Sequence, residues 1–145
     1  MRTRPLGKAD YDHIVQLIDR WWGGPTTVLA HPIMFYELGS LARLIEHEDL
    51  TVGFLLGFIA PGPPKTGYIH LVGIHPDYRR RGVGKILYST FEEDCREAGC
   101  ARLKSISTTG NERAIAFHEA SGFTVHFVED YAGPARPRVV FLKDL

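Results

Sequence analysis

Residues 79–85 read Arg-Arg-Arg-Gly-Val-Gly-Lys and follow closely on the apolar run Ile69-His70-Leu71-Val72-Gly73-Ile74-His75-Pro76. A strand that enters a basic glycine turn and leaves it as a helix aims several backbone N–H groups, and the positive end of the helix dipole, at one point. Arginines around that point add fixed positive charge, and the combination suits phosphates. Arg79, Arg80, Arg81, Gly82, Val83, Gly84 and Lys85 are therefore candidate phosphate-binding residues, the alternative being a merely solvated basic turn. The turn lacks the Gly-x-x-x-x-Gly-Lys-(Ser/Thr) spacing of a nucleotidase phosphate loop. His70 lies inside the apolar run and His118 further along, and histidine is the side chain whose unperturbed pKa near 6.5 suits proton traffic at neutral pH. Cys95 and Cys100 have no third or fourth ligand at metal-site spacing and no nucleophile context; they read as reduced thiols, and no metal is expected.

Positioning these residues takes a sheet and its helices. The 145 residues, 44% of them hydrophobic, suit one domain spanning 1–145 with a single core. Seventeen Lys and Arg balance 17 Asp and Glu, so no global field favours nucleic acid or an anionic membrane. No signal-peptide core and no membrane-length apolar stretch occurs, which points to a soluble cytoplasmic protein. Strands are expected at 2–6, 41–47, 51–59, 68–75, 101–107, 123–128 and 138–142, with a turn at Glu48-Asp49 and a bulge at Gly73. Helices are expected at 10–22 (Ile14, Leu17, Ile18 and Trp21 inward), 31–38, 82–97 (Val83, Ile86, Leu87, Thr90 and Phe91 inward) and 111–121 (Ala114, Phe117, His118 and Ser121 inward). The last helix starts either on a Thr109/Glu112 capping box or on Asn111. An antiparallel meander followed by two helix crossovers makes a mixed α/β sheet.

The strand Val72-Gly73-Ile74-His75-Pro76, the turn Arg79-x-x-Gly82-x-Gly84, the helix Asn111-x-x-Ala114-x-x-Phe117 and the exit Gly122-Phe123 together resemble the GCN5-related N-acetyltransferase superfamily over about residues 50–128. The resemblance implies a mixed, mostly antiparallel sheet of six to seven strands flanked by about four helices, with two strands splayed at the cofactor site. It further implies acetyl-CoA as donor, with pyrophosphate on the Arg80 to Gly84 amides. The pantetheine arm would pair with Val72, Gly73 and Ile74, and Asn111 and Phe117 would flank it, although Asn111 also serves as a plain helix cap.

The implied reaction is attack of a primary amine on a thioester in a ternary complex, the alternative being a noncatalytic acyl-CoA sensor. A lysine-like amine costs about 4.6 kcal/mol to deprotonate at pH 7, whereas a thiolate of pKa about 8.5 leaves readily. Help with the amine matters more. His70 is the candidate base, and the strand around it resembles that of a family member in which a histidine joins a water-linked proton path. Many members carry a tyrosine acid directly after the phenylalanine of the last helix; here that position is His118, either a substitute acid or a packing residue. The acceptor, a small-molecule or peptide amine, would lie among the first helices and the last hairpin, with Trp22, Gly23, Phe35 and Tyr131 as candidate contacts. Glu129 and Asp130 beside that aromatic patch would favour a cationic amine. A homodimer is the oligomer this reading allows.

Overall fold

In the computed structural model, which describes residues 1–22 and 27–145, the chain runs β1 (Arg2–Pro5), α1 (Lys8–Trp22), α2 (Ile33–Tyr36), β2 (Arg43–His47), β3 (Leu50–Ala60), β4 (Thr66–Ile74), α3 (Val83–Glu97), β5 (Arg102–Ser107), α4 (Glu112–Ala120), β6 (Thr124–Val128) and β7 (Arg138–Asp144). The strands form one seven-stranded sheet in the order β1-β2-β3-β4-β5-β7-β6. Every neighbouring pair is antiparallel except β4–β5, which α3 connects as a parallel crossover. This is the mixed, mostly antiparallel α/β sheet the sequence implies. Glu48 and Asp49 both take positive φ, 50° and 65°, as a two-residue hairpin of the primed type demands.

The expected helix over 31–38 is a single turn, α2, with 3-10 turns at Thr27–Ala30 and Gly39–Leu41 on either side. Only Met34 of α2 is buried, so no apolar stripe sustains further turns. On α3 the inward stripe is Val83, Gly84, Leu87, Tyr88, Phe91 and Cys95, while Ile86, expected inside, is 38% exposed. Rotation of the helix by part of a turn brings the Tyr88 hydroxyl into the interior, where it bears on the site.

The two faces of the sheet carry separate cores. α1 packs Ile14, Ile18 and Trp21 against Leu44, Phe54, Leu56 and Leu71; α3 packs Val83, Leu87 and Phe91 against Leu55, Ile69, Leu103 and Phe141. The register of β3 on β4 steps from Leu56↔Leu71 to Gly57↔Ile69, leaving His70 as the extra residue of a bulge. The expected bulge at Gly73 is therefore corrected. Gly73 pairs with Phe54 in regular register, and a Cβ there would run into the Phe54 ring, so packing alone calls for glycine. The bulge resets the side-chain alternation. Ile69, Val72 and Ile74 join the α3 side, whereas Leu71 joins the α1 side.

β4 and β5 separate early. Their ladder consists of Thr66↔Arg102, Gly67↔Leu103 and Tyr68↔Lys104, yet the strands run on to Ile74 and Ser107. Beyond Tyr68 the edge of β4 turned from β3 has no ladder partner among the described residues.

Candidate active site

The basic turn is shaped by its backbone. Arg80 (φ 61°) and Gly82 (φ 80°) are left-handed, and Gly82 caps α3 without a side chain. The first intrahelical bond runs from Ile86 N–H to Gly82 O, so the amides of Val83, Gly84 and Lys85 precede the helical ladder and, among the described residues, are open to an anion. A Cβ on Gly84 would lie 3.2 Å from Ile74 Cδ1 and 3.4 Å from Phe117 Cε1, so glycine keeps the floor of the turn low. A cleft of about 630 Å³ opens from this point between α3 and α4, lined by Ile74, Arg80, Gly82, Val83, Gly84, Lys85, Tyr88, Phe117 and Lys143 among others. Seven of the expected cofactor residues thus meet on one cleft.

The remaining expected residues go elsewhere. Arg79 donates from Nη2 to the Trp21 carbonyl at 2.7 Å, securing the last turn of α1, so its guanidinium is not part of the cleft. Arg81 lies over the Tyr78 ring, with Cζ 5.0 Å from its centroid. Asn111 caps α4, its Oδ1 accepting from Ala114 N–H at 3.1 Å, which decides between the two capping alternatives. It stands outside the cleft lining. Val72 and Gly73 lie on β4 beyond the point where β5 departs.

His70 occupies the bulge and bonds through Nε2 to the Leu29 carbonyl at 2.7 Å. A carbonyl only accepts, so Nε2 carries the proton and, in the neutral ring, Nδ1 holds the free lone pair. The side chain therefore points to the α1 side of the sheet, where it ties the 3-10 turn after α1 to β4.

His118 does not fit the role of an acid. It is 5% exposed, its ring lies parallel to Phe141 at 3.8 Å, and both nitrogens are engaged. Nδ1 donates to the Ala114 carbonyl at 2.6 Å, and Nε2 accepts from the Tyr88 hydroxyl at 2.8 Å. Desolvation holds its pKa below the ordinary value, so near pH 7 the ring is neutral. Burial likewise pushes the Tyr88 phenol well above its usual range. Ser105, also buried, donates to the Ile69 carbonyl at 3.4 Å across the gap left by the ended ladder. Neither Tyr88 nor Ser105 stood out in the sequence; their signal, a polar residue on an otherwise apolar stripe, needs the helix phase to be seen.

On the acceptor side, Trp22 ends α1 at 38% exposure, and Gly23 lies outside the described residues. Phe35 is half-buried and stacked on Tyr11 at 5.2 Å, packing α2 onto α1. Tyr131, 37% exposed, sits under the Lys104 ammonium, 5.0 Å from its ring centroid. The structure brings together the turn, Ile74 and Phe117 on one cleft and His70 with β4 on the other face; it does not group Trp22, Phe35 and Tyr131.

The sequence profile of the acetyltransferase (GNAT) family matches residues 11–123. The chain belongs to this family. Such a protein is an acetyl-CoA-dependent N-acetyltransferase, an enzyme and not merely an acyl-CoA sensor. The chain is similar to the acetyltransferase SG1711 of Sodalis glossinidius, 32% identical over 82% of this chain and 84% of that protein. It is also similar to the L-amino acid N-acyltransferase MnaT of Escherichia coli, 26% identical over 86% and 80% of the respective chains. Among solved structures it superposes on a chain of the NatC complex bound to Gag peptide and CoA with a TM-score of 0.82, at 17% identity over 99% of this chain and 98% of that one, a likeness of fold. No helix of the described residues is long and apolar enough to cross a membrane.

Proposed function

We propose that this N-acetyltransferase binds the phosphates of acetyl-CoA on the amides of residues 80–85, seats the pantetheine arm against the free edge of Val72 to Ile74, and uses His70 to deprotonate the amine acceptor. The observation that carries the reading is the continuity of a free β4 edge with a left-handed turn whose amides are open. When bound, acetyl-CoA supplies an acetyl group activated as a thioester, whose thiol of pKa about 8.5 departs without an acid. The chain supplies the rest. Backbone donors and the α3 dipole hold the diphosphate, with Arg80 and Lys85 contributing charge. Phe117 and Ile74 line the cleft with apolar surface and exclude water there. His70 Nδ1, the open nitrogen, takes the ammonium proton directly or through one water, while its Nε2–H keeps the ring fixed on Leu29. His118 stays neutral and holds Tyr88, so no proton donor to sulfur is assigned.

The test measures thiol release from acetyl-CoA with a panel of amines for the wild type and His70→Gln. Glutamine retains an N–H for the Leu29 carbonyl and lacks the base, so kcat should fall roughly 100-fold with acetyl-CoA affinity preserved. An unchanged kcat would remove His70 from the chemistry.

A further inference from the structure

Past Tyr68 the α1-side face of β5 and β7 lies beyond the reach of α1, and its charges are uneven. Arg102 donates from Nε to the Thr66 hydroxyl at 3.0 Å and stands opposite Asp144 in the β5–β7 register. Lys104 has Tyr68 opposite it on β4 and Leu142 on β7, neither of which neutralises a cation. Among the described residues Lys104 forms no ion pair; its ammonium rests on the face of Tyr131. Tyr68, packed on Phe58 at 5.3 Å, is desolvated enough for its phenol pKa to rise to about 12, so this corner is partly dry and Lys104, unlike Arg102, has no carboxylate opposite it. Tyr68↔Lys104 is also the last rung before the strands part, and His70 follows two residues along β4, roughly 7 Å away.

We infer that Lys104 binds a carboxylate on the acceptor, so that the preferred substrate is a free amino acid, with amine and carboxylate separated by a single carbon. This rests on the acetyl-transfer reading and refines its acceptor. The amine faces His70 and the carboxylate faces Lys104, while Tyr131 and Tyr68 flank the bound group and keep water from it. A polycationic acceptor meets like charge at the same corner, which reverses the expectation of a cationic amine drawn from Glu129 and Asp130. Those two carboxylates lie exposed on the adjoining hairpin, without an ion pair to Lys104.

The experiment compares kcat/KM of the full chain for a set of L-amino acids, their carboxamides and the corresponding decarboxylated amines, at saturating acetyl-CoA. Loss of a charge-assisted contact predicts a roughly 10- to 100-fold preference for the free acid over its carboxamide. Lys104→Met should erase that preference by raising KM for the acid alone, and Lys104→Arg should restore most of it. The carboxamide rate in Lys104→Met serves as the internal check on folding. Equal rates for acid and carboxamide in the wild type, or a Lys104→Met loss shared by both, overturns the assignment while acetyl transfer stands. If no amine in the panel releases thiol, the acceptor lies outside these classes and the inference falls, while membership of the acetyltransferase family stands.

Discussion

Replacing His118 by phenylalanine separates a structural histidine from a catalytic one. The stack on Phe141 survives in Phe, and the Ala114 carbonyl keeps its helical role; what is lost is the His118 acceptor for the buried Tyr88 hydroxyl, whose other side-chain neighbour, Ser105, is already bonded to the Ile69 carbonyl. An orphaned buried hydroxyl costs about 1–3 kcal/mol, so His118→Phe should be destabilised by that amount at pH 7.5. Adding Tyr88→Phe removes the orphan. The double variant should therefore be more stable than the sum of the single losses predicts, by about 1 kcal/mol or more. The cost also depends on pH. Burial lowers the folded-state pKa of His118, so below the unfolded value of about 6.5 the unfolded chain binds more protons, and the wild type loses stability as pH falls through that window. At pH 5.5 this loss is at most about 1.4 kcal/mol, and His118→Phe does not share it. Urea unfolding of the four proteins at pH 7.5 and 5.5, with thiol release measured alongside, checks both parts. The gap between wild type and His118→Phe should narrow at the lower pH, and turnover should stay within a few-fold. A gap independent of pH, or a turnover loss above about 100-fold, refutes the assignment of His118 to structure.

Gly82→Ala meets no atom within 4 Å, so its effect isolates backbone conformation: at φ 80° an alanine should cost about 1 kcal/mol in unfolding free energy and weaken acetyl-CoA binding measured by calorimetry. An unchanged affinity would show that the turn need not be left-handed to hold the cofactor. Arg79→Ala should raise KM for the amine several-fold through the end of α1 while leaving acetyl-CoA affinity nearly intact; a tenfold loss of acetyl-CoA affinity would place the guanidinium on phosphate after all.

The strand, turn and helix starts around the basic loop were legible because they depend on local signals. A strand stopped before Pro76, a left-handed glycine and a helix start are written in nearby residues, and Gly82, Gly84 and the Asn111 cap sit where those signals put them. What escaped depends on phase or on distance along the chain. The bulge at His70 is invisible in β4 alone, since it exists only relative to β3. Gly73 reads as a flexible point until Phe54, 19 positions earlier, is seen to occupy its side-chain space. Arg79 belongs by motif to the phosphate turn, yet its side chain is long enough to reach the carbonyl of Trp21. The alternation of polar and apolar residues on β5 marks Lys104 as outward; that its cross-strand neighbours are Tyr68 and Leu142 follows only from the register.

The three-rung ladder between β4 and β5 has a consequence for cooperativity. It divides the sheet into a block of β1 to β4 and a block of β5 to β7, stitched by few main-chain bonds, the Ser105 hydroxyl and the span of α3. Such a seam is where sub-global opening has the fewest bonds to break. A molecule lodged along it would stand in for the absent rungs and contact both blocks. Its affinity would then be spent partly on fastening the two halves, and amide exchange in β5 should slow on loading even where no atom of the ligand touches that strand.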